Sequence, residues 1–171
     1  MHSSPAVFGD MVFVGSNKQT YYGINTTSGN ITWKFSDPVA EEFIIATPIC
    51  HDGKVFLVDQ FFIVALDAST GGLLWQTFVG TEFYVSPTYA DGKLYITSDQ
   101  RGLYVLNATD GSRISFFSTN SNSWSSPTLY AGKVYVGNND WNVYCLSEYS
   151  RLESSITLEL DQRDIVIGES A

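Results

Sequence analysis

The stretch Ala65-Leu66-Asp67-Ala68-Ser69-Thr70-Gly71-Gly72-Leu73-Leu74-Trp75 decides how the rest of the chain is read. It is the end of an apolar strand, a polar turn with a glycine, and a second strand that closes on tryptophan. The pattern recurs as Gly23-Ile24-Asn25-Thr26-Thr27-Ser28-Gly29-Asn30-Ile31-Thr32-Trp33. It recurs again as Val105-Leu106-Asn107-Ala108-Thr109-Asp110-Gly111-Ser112-Arg113-Ile114-Ser115, with serine in place of the tryptophan. An Asx side chain ahead of a turn accepts backbone N–H groups one to three residues on and pre-forms the loop. Gly29, Gly71 and Gly111 then supply the positive φ that such turns require. Trp33 and Trp75 sit on the outgoing strand, where an indole can cover a neighbouring repeat and find an acceptor for its N–H. Asn25, Asp67 and Asn107, the three glycines and the two tryptophans are therefore read as structural residues.

Working outward, Ser4-Pro5, Thr47-Pro48, Ser86-Pro87 and Ser126-Pro127 each open a unit, with the prolines 43, 39 and 40 residues apart. A short strand and a two-residue turn follow in each: Gly9-Asp10, Asp52-Gly53, Asp91-Gly92 and Ala131-Gly132. Second strands are expected at 11–14, 54–58, 93–97 and 133–137. Third strands fall near 22–25, 63–67, 103–107 and 143–147. Fourth strands fall at 31–35, 73–78 and 113–117. Four short strands in a period of about 40 residues is the pattern of a propeller blade. Proline at the opening suits the first residue of a strand or an edge position. The expectation is an all-β protein: a β-propeller of four blades, at about 3–36, 46–79, 85–118 and 125–149, forming a partial ring or half of a larger one. A β-sandwich is the other architecture weighed, but it does not call for this self-similarity.

Composition agrees. The 171 residues suffice for a sizeable core, and 15% are aromatic. No run approaches the roughly 20 apolar residues of a membrane-spanning helix. With 18 acidic against 9 basic residues, the chain lacks the clustered cations of a nucleic-acid-binding face. Cys50 and Cys145 occupy different positions of the repeat and read as free, partly buried thiols. Nothing at the start resembles a signal peptide, and the chain begins inside a repeat, as an excised piece of a longer protein would.

The string Ala-x-Asp-x-x-Thr-Gly-x-x-x-Trp at 65–75 resembles the tryptophan-docking motif of the PQQ-like repeat propellers. That family includes quinoprotein alcohol dehydrogenases and a cofactor-free bacterial outer-membrane assembly lipoprotein. The resemblance covers roughly residues 3–148. It implies an extracytoplasmic protein, at the cell surface or secreted. Departures occur at Ser115, and in blade four after Leu146-Ser147-Glu148-Tyr149, where the glycine turn and tryptophan are missing. The junctions at those points are expected to pack less tightly. Residues 150–171 change texture. Ile156–Leu160 supplies either a closing strand for blade four or, the favoured reading, part of the start of an Ig-like domain like those of prokaryotic surface proteins.

Candidate sites lie on the loops between second and third strands and between blades. Phe61, Phe62, Trp124 and Trp141 are candidate anchors for a partner, with inward packing as the alternative for each; Arg101 and Asn139 accompany them. Asp99 and Arg101 also read as an ordinary surface pair. Glu41-Glu42 are consecutive and point apart on a strand. His2 and His51 are isolated, and no calcium-loop or nucleophile-elbow spacing is present. No cofactor or metal site is expected. Asn25, Asn30 and Asn107 begin Asn-x-Ser/Thr sequons, with Asn25 and Asn107 engaged in turns. The function expected is a non-catalytic binding or scaffold module that contacts protein, or glycan, with a neighbouring domain or a second copy completing a larger ring. The alternative is a fragment of a quinoprotein dehydrogenase, holding PQQ and calcium.

Overall fold

Three of the two-residue turns have both central residues left-handed: Asp52 and Gly53 at φ 47° and 70°, Asp91 and Gly92 at 48° and 74°, Ala131 and Gly132 at 50° and 72°. This is the type I′ geometry whose twist matches that of antiparallel strands. At Gly9-Asp10 the first residue alone is positive (56°), and glycine occupies it. These turns set the register of each sheet.

The computed structural model describes residues 3–16, 20–36, 46–59, 61–80, 83–99, 102–119, 121–149 and 157–160. Among the described residues, sixteen strands form four antiparallel sheets, each taken in sequence order. Sheet one comprises β1 (Ala6–Phe8), β2 (Met11–Gly15), β3 (Thr20–Asn25) and β4 (Ile31–Ser36). Sheet two comprises β5 (Ile49–His51), β6 (Lys54–Asp59), β7 (Phe62–Asp67) and β8 (Leu73–Phe78). Sheet three comprises β9 (Thr88–Ala90), β10 (Lys93–Ser98), β11 (Gly102–Asn107) and β12 (Arg113–Ser118). Sheet four comprises β13 (Thr128–Tyr130), β14 (Lys133–Gly137), β15 (Val143–Tyr149) and β16 (Thr157–Leu160). The expected propeller blades are present, within two residues of their expected strand ends. Residues 157–160 pair with β15 in the fourth-strand position, the first of the two readings of the tail. The remainder of the tail, and the Ig-like reading with it, lies outside the described residues.

Inner strands touch in the order β1, β5, β9, β13. The Ser/Thr-Pro openings tie them together. The backbone N–H of Ser4 donates to Thr47 Oγ1 (3.2 Å), that of Thr47 to Ser86 Oγ (2.8 Å), and that of Ser86 to Ser126 Oγ (3.2 Å). Each opening hydroxyl thus accepts from the blade before it.

The core lies between sheets. Val55, Leu57, Val64 and Leu66 of sheet two are fully buried against Phe13, Tyr21 and Trp33 of sheet one. On the opposite face, Phe56, Val58, Ile63 and Trp75 pack against Leu94, Ile96, Tyr104 and Leu106 of sheet three. A central strand pair buried on both faces reads as a continuous apolar run, as in Val55–Val58 and Ile63–Leu66. Burial of each such Leu, Ile or Phe contributes about 1.5–3 kcal/mol.

Candidate functional site

The Asx turns form as expected. Asp67 Oδ1 accepts from the backbone N–H of Ser69 and Thr70 and from both hydroxyls, at 2.6–3.0 Å. The Ser69 hydroxyl, then the N–H and hydroxyl of Thr70, hold this carboxyl down at about 2. Asn25 Oδ1 serves Thr27 and Ser28 in the same way, and Asn107 Oδ1 serves Thr109. A register shift follows the residue opposite Trp33, Trp75 and Ser115 in the first three sheets, at Gly23/Ile24, Ala65/Leu66 and Val105/Leu106. Trp33 Nε1 donates to the Ala68 carbonyl at 2.9 Å and Trp75 Nε1 to that of Ala108 at 3.2 Å. These residues are structural clamps between blades.

The junction between sheets three and four is built differently. Half-buried Ser115 pairs with Val105 where an indole would stand. Phe117 meets Tyr144 edge-on at 6.0 Å, and Leu103, Val105, Val134 and Leu146 complete an apolar cluster. Polar contacts replace the indole clamp. The connecting segment 121–126 lies across both sheets. Ser123 Oγ donates to the Gly137 carbonyl (2.6 Å), Thr97 Oγ1 to the Ser125 carbonyl (2.6 Å) and Asn138 Nδ2 to the Ser121 carbonyl (2.8 Å).

Two of the expected partner-binding residues, Trp124 and Asn139, meet at this strap, and Trp141 stands on the adjoining turn. Trp124 is 64% exposed, and its Nε1 donates to Asp99 Oδ1 at 2.7 Å. The same oxygen accepts from Asn122 Nδ2 at 2.9 Å. Asn139 binds Asn122 twice, through its backbone N–H to the carbonyl and through Nδ2 to Oδ1, both at 3.1 Å. Two residues on, Trp141 is 99% exposed and left-handed at φ 68°. A bulky side chain in that conformation is strained, by about 1–2 kcal/mol. Asp140 stabilises the turn: its Oδ2 accepts from the Tyr144 hydroxyl at 2.5 Å and its Oδ1 from the N–H of Asn142. Burial pushes the Asp140 carboxyl up, but these hydrogen bonds outweigh it and hold it below the usual carboxylate range. The Trp124 indole is thus carried on a polar scaffold of Asp99, Asn122, Asn138 and Asn139, and Trp141 stands exposed on the turn that follows Asn139. The Tyr144–Asp140 contact escaped sequence reasoning; its only signal is the four-residue spacing across a turn.

Other expected residues fall elsewhere. Phe62 is not in a loop: it heads β7, pairs with Asp59 and Phe78, and packs against the sheet-one/sheet-two cluster. Phe61 is half-buried, with its carbonyl accepting from the N–H of Val79. Neither joins the strap. Arg101, Glu41, Glu42 and His2 lie outside the described residues. His51 is stacked on Tyr89 of the next sheet at 3.8 Å, rather than simply solvated. Cys50 and Cys145 are free and half-buried; burial pushes the Cys50 thiol up to about 11. Among the described residues, no three His, Cys, Asp or Glu side chains converge as metal ligands. Among them too, no helix is long and apolar enough to cross a membrane.

The profile of the family described as outer membrane protein assembly factor BamB matches residues 44–163. A polyvinylalcohol dehydrogenase of Pseudomonas sp is 32% identical over 100 residues, 53% of this chain and 16% of that protein. The crystal structure of BamB from Moraxella catarrhalis superposes with a TM-score of 0.69 at 24% identity, over 89% of this chain and 46% of that one. The computationally designed Ika4 protein superposes with a TM-score of 0.72 at 12% identity, over 84% of this chain and 88% of that one. These structural likenesses concern the fold. The chain spans well under half the length of the dehydrogenase and slightly under half that of the natural propeller.

Proposed function

The chain belongs to the PQQ-repeat family described as outer membrane protein assembly factor BamB, and from that premise we propose that it is a non-catalytic, extracytoplasmic binding module that contacts a protein partner through the strap between sheets three and four. One observation carries the reading: Trp124 is exposed on a polar scaffold, and Trp141 on the turn beside it, at the junction where the indole clamp is absent. An exposed aromatic already hydrogen-bonded in place, as Trp124 is on Asp99, loses little entropy on binding, and exposed aromatics supply much of the energy of an interface. Asp99, Asn122 and Asn139 offer further polar groups beside them, a chemistry that also suits a glycan on the partner.

The second reading, a fragment of a quinoprotein dehydrogenase, draws on the similarity to a polyvinylalcohol dehydrogenase. PQQ with calcium requires clustered oxygen ligands. Among the described residues no three His, Cys, Asp or Glu side chains converge, so the reading rests on the similarity alone.

A photo-crosslinking side chain placed at position 141, with position 78 on the exposed outer strand β8 as control, tests the proposal in the envelope fraction of the source cells. A discrete adduct from 141 that is absent from 78 and lost on Trp124→Ala supports it. Dye-linked alcohol oxidation by the full-length protein on addition of PQQ and calcium, unaffected by Trp124→Ala, overturns it in favour of the second reading. Two copies arranged head to tail are one way to cover the open faces of sheets one and four, and light scattering over a concentration series reads that association directly.

A further inference from the structure

Phe35, Thr77 and Phe117 hold the same place on the outer strands of the first three sheets, opposite Tyr21, Ile63 and Leu103. Phe35 packs into the cluster between sheets one and two, and Phe117 into that between sheets three and four. Thr77 is too small to fill the corresponding space between sheets two and three, and its hydroxyl donates to the Gly111 carbonyl at 2.7 Å. A cleft of about 260 Å³ is left there, lined by Thr77, Phe78, Val79, Tyr104, Leu106 and Arg113. Tyr104 and Arg113 take the places that Val64 and Leu73 hold one sheet earlier. Tyr104 is 9% exposed, its ring fixed between Phe83 at 5.8 Å and Phe116 at 4.6 Å. Among the described residues, nothing hydrogen-bonds to the Tyr104 hydroxyl and no carboxylate pairs with Arg113. Burial pushes the Tyr104 hydroxyl up and outweighs the opposing pull of the Arg113 guanidinium, so at pH 7 the group is a neutral donor.

We propose that this cleft binds a carboxylate carried on a small aromatic body. The Arg113 guanidinium supplies a planar fork of donors that matches a carboxylate, and the Tyr104 hydroxyl donates to the same anion. Phe78, 66% exposed, forms with Val79 and Leu106 the apolar wall on which the ring lies. The cleft is smaller than the roughly 300–1,000 Å³ that drug-sized ligands occupy, so it takes a single ring and its acid arm. A neutral apolar ligand would leave the guanidinium and the buried phenol without an acceptor, and a bare inorganic anion would leave the apolar wall uncovered. The site belongs to the junction of sheets two and three and is separate from the strap.

The probe is phenylacetate, titrated into the full chain labelled with ¹⁵N. Saturable shifts are expected at the amides of 77–79 and of Arg113, with phenylacetamide binding at least roughly tenfold more weakly. Arg113→Gln, at an exposed position, should weaken the acid roughly ten- to a hundredfold and leave the amide unaffected. Tyr104→Phe keeps the packed ring and should weaken the acid about three- to tenfold. Thr77→Phe puts into this junction the ring that the other two carry and should abolish binding while unfolding stays cooperative. A peptide ending in a free phenylalanine carboxylate is the second arm. Tighter binding than phenylacetate identifies a chain terminus as the source of the carboxylate and weaker binding a free acid, and either supports the site. No saturable shift up to roughly 10 mM, equal affinity for acid and amide, or an Arg113→Gln chain that binds phenylacetate as before overturns the proposal.

Discussion

The contact between Trp33 and Gly71 is the sharpest test of how the blades hold together. Trp33 is 7% exposed, stacks on Phe13 at 5.6 Å, and is hydrogen-bonded to Ala68. Its replacement by alanine removes a buried aromatic and is expected to cost about 3–5 kcal/mol. Gly71→Ala places a methyl 2.7 Å from two ring atoms and 3.0 Å from the tryptophan Cβ, at φ 71°. The left-handed backbone costs about 1–2 kcal/mol, and pushing the buried ring aside about 1–3 more. Gly29→Ala has nearly the same φ and no neighbour, so it isolates the backbone part at about 1–2 kcal/mol. In the double variant Trp33→Ala with Gly71→Ala the steric part vanishes. The cycle should therefore return a coupling of about 1–3 kcal/mol in the sub-additive direction. Urea unfolding followed by far-ultraviolet circular dichroism reads all four species without relying on the indole that is removed. Additivity within about 0.5 kcal/mol, or a Gly71→Ala cost no larger than that of Gly29→Ala, refutes the clamp.

Further expectations follow from single groups. The Asp67 carboxyl is held at about 2 in the folded chain, below its ordinary 3.8, so its charged form favours folding. That contribution is complete above the ordinary value and is lost as pH falls from about 4 towards 2. Asp67→Asn keeps the acceptor that Asn25 and Asn107 already use but not the charge, so it should flatten this part of the pH–midpoint curve and lower the midpoint at pH 7; an unchanged acid slope contradicts the assignment. Trp141→Gly relieves a left-handed backbone and gives up almost no buried surface, so a thermal scan should show stabilisation of about 1 kcal/mol, and a loss of that size speaks against the strain. In a Cys145→Ser background, Cys50 should react slowly with an aromatic disulfide reagent at pH 8 and speed up towards its value of about 11; rapid reaction at pH 8 places the thiol in a different environment.

What could be read from sequence was whatever repeats. Asp67, Gly71 and Trp75 act within eleven residues, and the interactions of an Asx turn are local, so three copies in register sufficed to place the strands. The two-residue turns are legible for the same reason, because Asp-Gly at 52–53 and 91–92 is a local turn signal. From sequence Phe62 reads as a loop residue because it follows the polar pair Asp59-Gln60. Pairing of Phe62 with Asp59 shortens that loop, and no local signal distinguishes the two. The hydroxyl relay through Thr47, Ser86 and Ser126 was visible only as a recurring dipeptide, because each acceptor serves the blade before it.

The strap shows why the candidate site was the less legible part. Residues that hold a repeat together recur, so they announce themselves, while residues that do something once cannot. Ser115 removes an indole from a junction that elsewhere needs one, and this loss was visible. Its replacement was not: Asp99, Asn122 and Asn139 come from three separate segments and share no spacing, and their hydrogen bonds exist only after sheets three and four have met. That dependence has a consequence for folding. Removal of the Asp99 carboxylate by Asp99→Ala leaves the Trp124 N–H and the Asn122 amide without their acceptor. The cost should be modest, about 1–2 kcal/mol for two partly exposed hydrogen bonds. It should appear as increased solvent accessibility of Trp124 and as faster amide exchange at Ser123 and Asn139, which the strap protects. The Trp33 and Trp75 junctions should exchange as before. If all three junctions loosen together, the strap is part of the common framework, and its two exposed indoles lose their claim to a separate role.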